Sequence, residues 1–198
     1  MTAFRKHGAR IAVPQLPEIE GELRRLKTRR SWRRALSSTI YTLVVVAAVA
    51  VLVAMLYVSV LVVSGTSMEP NLENGDVLVG VKAERFEAGD VVCFYYNNRL
   101  LLKRVVAQAG DWVEVDGEGY VYVNGRLLDE PYVQDRSLGI CDVEFPYQVP
   151  EGAVFVLGDH RSTSVDSRSS AVGCVTLDKV VAKVYLRVWP LDSFGLVS

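Results

Sequence analysis

The stretch Ile40–Val63, IYTLVVVAAVAVLVAMLYVSVLVV, constrains this chain more than any other feature. No Asp, Glu, Lys or Arg occurs between Arg34 and Glu69. As a helix these residues would reach roughly 36 Å at about 1.5 Å per residue, against a hydrocarbon layer of about 30 Å. The many valines disfavour a helix in water. In lipid, every backbone polar group must be paired within the segment, and the helix wins. A cleavable signal peptide carries a shorter apolar run of about 7–15 residues and a small-x-small cleavage site, and no clear site of that kind follows here. A core helix of this length with no polar face does not suit a chain of 198 residues. A transmembrane helix is therefore predicted at 40–63.

Charge gives that helix a direction. Residues 1–39 hold ten Lys/Arg against Glu18, Glu20 and Glu22, a net +7, so the remainder carries −8 to reach the overall −1. Basic residues before a span keep that end in the cytoplasm. The expected organisation is a basic cytoplasmic segment at 1–39, the span at 40–63, and a domain at 64–198 on the outer face of the plasma membrane. Within Pro17–Ser38, Ile19, Leu23 and Leu26 recur at helical spacing before an Arg cluster. Two readings stay open: a basic helix lying on the anionic inner leaflet, or a tail that only enforces topology. Trp32 and Tyr41 fall where interfacial aromatics sit.

Past Val63 the pattern changes to short runs rich in Val, Tyr and Phe, broken by Gly, Asp and Asn. Strands are predicted at Val77–Lys82, Asp90–Tyr96, Leu100–Ala107, Trp112–Val115, Tyr120–Val123, Ala153–Leu157 and Val180–Val188. Asn74-Gly75, Asp116-Gly117 and Asn124-Gly125 are turn signals. The fold expected is mainly β, a partly open barrel or packed antiparallel sheets behind one N-terminal helix, with a possible β subdomain at about 108–150. Cys93, Cys141 and Cys174 are an odd number. Cys93 lies in a core-like run, and a Cys141–Cys174 disulfide is conceivable outside the cell. The two histidines, His7 and His160, are far apart and unaccompanied, so no metal is expected. No cofactor and no nucleic-acid partner are expected either.

Three segments carry potential chemistry. SGTSMEPNL (64–72) presents Ser67 on a turn between small residues, with backbone N–H groups beside it. LLLKRVVAQAGD (100–111) puts Lys103 and Arg104 inside a strand of aliphatics, on opposite faces. An Arg holds its charge by pairing, whereas a desolvated Lys lowers its pKa and becomes a competent base for a hydroxyl. VLGDHRSTSVDSRSSAVGCV (156–175) is a polar loop after a buried-looking strand, where Asp159, Asp166 and Arg168 offer ion pairs and Ser164 and Ser167 offer hydroxyls. Each also has an ordinary reading: a simple turn, an edge strand with outward cations, and a surface loop with an Asp–Arg pair.

Their order along the chain is less ordinary. SGTSMEP after a span, then GDVVCF (89–94), KRVVAQAGD (103–111) and GDHRSTSVDSR (158–168) resembles the bacterial type I signal peptidases, in their short single-span form. The resemblance covers the whole exported region and implies a serine–lysine dyad, Ser67 as nucleophile and Lys103 as general base. It places Ser164 as the hydroxyl orienting the base and Asp166 with Arg168 as a structural ion pair. Met68, Leu72, Leu101 and Leu102 fall on the pockets for small substrate side chains. Gly65 stands where some members have an oxyanion-binding serine, so the Ser67 backbone N–H is expected to carry that role. Asn71 replaces a usual Thr, and His160 and Thr163 replace usual Asn residues.

The activity implied is removal of signal peptides from exported preproteins after small-x-small motifs, through an acyl-enzyme. The partners implied are signal peptides, membrane lipid and the secretion translocon. Two other functions remain: an anchored Ser/Lys protease specialised for pilin or matrix proteins, and a non-catalytic anchored assembly scaffold.

Overall fold

The computed structural model describes residues 16–197. The first fifteen residues of the basic segment, His7 among them, lie outside the described residues, as do the side chains of Ile19, Leu23 and Leu26. The chain divides into two units, residues 1–53 and 54–198.

Helix α1 runs Leu16–Tyr57, so the described part of the basic segment and most of the apolar run belong to one element. Its portion Lys27–Tyr57 is long and apolar enough to cross a membrane, and its most apolar stretch buries nothing against the protein. Trp32 and Tyr41 are both exposed on it.

The apolar run expected as one helix to Val63 is divided. Its last residues, Val58–Val62, form strand β1. Here the residues alternate, with Leu61 and Val63 buried while Val58, Val60 and Val62 stay exposed. β-Branched residues fit a pleated strand better than a helix. β2 (Val77–Val81) lies ready to pair with them antiparallel, from Val58 opposite Val81 to Val62 opposite Val77.

The remaining strands are β3 (Val91–Tyr96), β4 (Arg99–Gln108), β5 (Trp112–Val115), β6 (Val121–Val123), β7 (Arg126–Leu127), β8 (Tyr147–Gln148), β9 (Ala153–Leu157), β10 (Val175–Thr176), β11 (Val180–Trp189) and β12 (Gly195–Leu196). All seven expected strands form, most with ends moved by a residue. The five unforeseen strands are β1 and four two-residue strands that carry too little pattern to be read. The larger sheet has the order β1-β2-β11-β3-β4-β9-β10, with β12 on β11, and the smaller has β7-β6-β5-β8. Every pairing is antiparallel.

The smaller sheet falls within residues 108–150 but shares its interior with the larger one. Val113, Val115 and Val121 pack in one cluster with Val106, Ala107, Phe155 and Leu157 of β4 and β9. Two further clusters cover the other parts of the large sheet. One gathers Leu61, Val63, Met68, Leu72, Leu78 and Cys93, directly beneath the loop between β1 and β2. All three cysteines are free thiols, so the conceivable Cys141–Cys174 bridge is not formed.

Candidate active site

The loop between β1 and β2 is closed at its base by Val63 N–H donating to Asp76 O (2.9 Å) and Gly75 N–H donating to Val63 O (3.0 Å). Inside it the backbone makes a tight turn, with Glu69 N–H on Thr66 O (3.1 Å) and Leu72 N–H on Met68 O (3.0 Å). Gly65 enters this turn at φ +98°, a conformation that glycine adopts without steric cost. Ser67 is thereby held half-buried on a short, stiff loop. No acceptor among the described residues takes its backbone N–H.

β4 brings the amine. It is an interior strand, flanked by β3 and β9, so neither Lys103 nor Arg104 escapes to water at an edge. Lys103 is 3 % exposed and its Nζ lies 2.7 Å from Ser67 Oγ and 3.0 Å from the carbonyl of Leu102. Burial lowers its pKa from 10.5 to about 8, against the opposing pull of Asp166 and Asp159 and with help from Arg168. A substantial neutral fraction at mildly alkaline pH makes this amine a base for the hydroxyl it touches.

Arg104, on the opposite face, keeps its charge. It grips Asp159 with two hydrogen bonds (2.9 and 2.8 Å), donates to Gly89 O (2.8 Å), and lies 4.1 Å from the centre of the Tyr132 ring. Asp166 and Arg168 form a second bidentate pair, both bonds 2.8 Å, with neither side chain exposed. Arg161 and Glu130 form a third. These pairs stiffen the polar loop after β9. The loop reaches the Ser67 turn through His160, whose N–H donates to Ser67 O (3.1 Å) and whose Nδ1 lies 3.3 Å from Thr66 O. Gly158 makes the approach possible: a Cβ there would collide with the Ser164 hydroxyl and come within 2.6 Å of Ser67 O.

In front of Ser67 and Lys103 lies a cavity of about 160 Å³, lined by Val60–Gly65, Ser67, Met68, Cys93 and Leu100–Lys103. Its volume suits small side chains. The profile of the family described as signal peptidase, peptidase S26, matches residues 36–189, which span the second half of the helix, the nucleophile loop, β4 and the polar loop.

The chain belongs to the signal peptidase family.

Two curated relatives agree in class. The peptidase is 34 % identical over 151 residues to a signal peptidase I from Bacillus caldolyticus, covering 68 % of this chain and 81 % of that one. It is 37 % identical over 152 residues to a signal peptidase IB from Staphylococcus aureus, covering 67 % and 78 %. A crystal structure of a signal peptidase I from Enterococcus faecalis overlaps half of this chain and 97 % of its own, at 29 % identity and a TM-score of 0.42.

Within this peptidase the residues singled out in the sequence are distributed unevenly. Ser67, Lys103, Met68, Leu101 and Leu102 meet at the cavity. Leu72 does not line it: the side chain points into the core beneath, 1 % exposed, because the turn from Met68 to Leu72 directs it there. Ser164 Oγ is buried without a hydrogen-bond partner, and Lys103 spends its second bond on Leu102 O. Val60 to Val63 and Cys93 line the cavity without having been read as site residues. The alternation from Val58 onward was the available signal, hidden by the apolar run that precedes it. Among the described residues no cluster of potential metal ligands occurs.

Proposed function

We propose that Ser67 and Lys103 are the catalytic pair with which this peptidase removes signal peptides from exported preproteins. The observation that carries the reading is the 2.7 Å contact between Ser67 Oγ and a buried lysine amine whose pKa is depressed to about 8. Neutral Lys103 takes the hydroxyl proton as Ser67 Oγ bonds to the scissile carbonyl carbon. The negative charge moves to the carbonyl oxygen, where the free Ser67 N–H stabilises it. As the C–N bond breaks, protonated Lys103 gives its proton to the departing amine, leaving an ester on Ser67. A water deprotonated by the same lysine then attacks the ester, and the signal peptide leaves with a new carboxylate.

An extended substrate presents alternate side chains to one side. Laid against the cavity walls of β1 and β4, it offers the residues at the first and third positions before the cut to the space around Met68, Leu101 and Leu102. Ser164, whose hydroxyl has no partner, serves to orient the lysine once Ser67 is acylated and its hydroxyl no longer holds the amine. Asp166 and Arg168 hold the polar loop in place. The helix Lys27–Tyr57 anchors the enzyme in the plasma membrane with its basic end in the cytoplasm and the β domain on the outer face. The charge asymmetry and the location of the substrates support that orientation. Membrane lipid and the secretion translocon are then its partners.

The test is to purify the full chain in detergent and offer a preprotein with an Ala-x-Ala junction. Cleavage after the second alanine is expected, and it should vanish in Ser67→Ala and in Lys103→Ala. Activity retained in either variant overturns the dyad. Cleavage confined to a single pilus or matrix protein would assign the enzyme a specialised task instead.

A further inference from the structure

Outside the cavity lining, a set of hydrogen bonds joins the Ser67 turn to β4. Arg187 of β11 starts it. Its Nη1 donates to the carbonyl of Asn71 (3.0 Å) and to the Asp76 carboxylate (3.0 Å), while Nε donates to Ser193 O (2.7 Å). Asp76 is itself buried and also accepts Glu73 N–H (3.0 Å), so the arginine holds the far end of the nucleophile loop at two points. Asn71 continues the chain. Its amide donates to Tyr132 O (2.8 Å) and to Asp159 Oδ2 (2.9 Å), the carboxylate oxygen that also takes Arg104 Nη2. Arg104 is the covalent neighbour of Lys103.

We propose that Arg187 and Asn71 are positioning residues that together set the reach between Ser67 and Lys103. This rests on the dyad reading above. The argument is one of connectivity: Ser67 and Asn71 belong to the same tight turn, so fixing Asn71 from both its carbonyl and its amide fixes where Ser67 Oγ stands relative to β4. Asparagine suits the position because its amide supplies two N–H donors, for Tyr132 O and Asp159. Threonine has one hydroxyl proton and cannot serve both. Arginine suits 187 because one planar group reaches three acceptors on two segments, which a lysine ammonium on a flexible stem does less well. Neither residue lines the cavity.

The experiment uses the full chain in detergent and a quenched peptide with an Ala-x-Ala junction, with rates expressed per active site from acylation titration. Ser67→Ala and Lys103→Ala run alongside. Arg187→Gln is expected to lower kcat about tenfold to a hundredfold, the scale of a misplacement near 1 Å, with KM changed by less than about twofold. A looser turn admits water beside Lys103, so the acid limb of kcat/KM should move upward from about 8. The charged groups that face the amine, Asp166, Asp159 and Arg168, are unchanged in these variants. Arg187→Lys should recover part of kcat, and Asn71→Thr should lose kcat with the same upward shift. Arg187→Gln combined with Asn71→Thr should be no worse than the poorer single variant, because both cut one chain.

Unchanged kcat and pH limb per active site would overturn the proposal, and so would multiplicative losses in the double variant. If Arg187→Gln does not fold, Asn71→Thr leaves the Arg187 contact to the Asn71 carbonyl in place and decides alone by the same two readouts. Activity surviving in Ser67→Ala or Lys103→Ala would overturn the dyad and this proposal with it. Loss in both with unaffected Arg187 and Asn71 variants would overturn this proposal alone.

Discussion

β4 has two faces, and the protein treats a buried cation differently on each. On the cavity face Lys103 has no hydrogen-bonded carboxylate partner; its neighbours are Ser67 Oγ and a backbone carbonyl, and desolvation lowers its pKa to about 8. On the other face Arg104, 1 % exposed, meets Asp159 with two hydrogen bonds and the Tyr132 ring besides. The same strategy is repeated by Arg168 with Asp166 and Arg161 with Glu130. A guanidinium cannot be neutralised by burial, so it must be paired; an ammonium can be, and is therefore the one suited to serve as a base.

The sharpest way to break this contrast is to remove the unpaired amine. Lys103→Ala should lower kcat by roughly a thousandfold or more while the domain still folds, as measured by initial rates and by circular dichroism. Asp159→Ala should do the opposite: it strands Arg104 in the interior and should cost about 3–5 kcal/mol in denaturant unfolding. Replacing both Arg104 and Asp159 with apolar residues of similar size should cost much less than that.

Lys103 carries a stability cost that its function requires. Its folded pKa, about 8, lies below the ordinary 10.5, so the unfolded chain binds the proton more tightly. Stability therefore rises with pH between about 8 and 10.5 and carries the full penalty below 8. Lys103→Met should consequently be more stable than the wild type at pH 7, by up to about 3 kcal/mol, with the gain disappearing above about pH 10.5. Thermal unfolding at pH 7 and pH 10.5 would check both sign and window. In the active enzyme the same pKa should make kcat/KM fall about tenfold per pH unit below 8. The smallest effect concerns the cavity itself. Leu102→Ala should widen it and admit a larger residue before the cut, changing the preference between alanine and valine substrates by about 1–3 kcal/mol.

The residues that meet at the cavity were legible through the order of three short segments and the family that order resembles, since each segment alone has an ordinary reading. Ser67 stands in a Gly/Pro turn, Lys103 beside Arg104 in an aliphatic strand, and Asp166 two residues from Arg168; all three can be read within a dozen residues. The end of the helix was not legible. Val58–Val63 is as apolar as what precedes it, and only the presence of β2 as a pairing partner makes it a strand. Leu72 was assigned to the cavity although the turn aims it into the core. The Ser164 hydroxyl, expected on Lys103, has no partner in this structure. Arg187 and Asn71 were not read as positioning residues, because they meet across 116 positions of sequence and no local pattern records such a contact.

The sequence by itself determined the class of the molecule. An uncharged apolar run behind a basic head, short alternating strands after it, and three polar segments in a given order follow from hydrophobicity, charge and backbone preference, which act over a few residues. Tertiary structure alone decided that the lysine would be buried without a hydrogen-bonded carboxylate while the arginine beside it is paired with one. That arrangement depends on β4 lying inside a sheet, with Asp159 brought to one face and Ser67 to the other. The free energy of a buried charge is set by what surrounds it in space, and here those surroundings come from parts of the chain far from Lys103 in sequence.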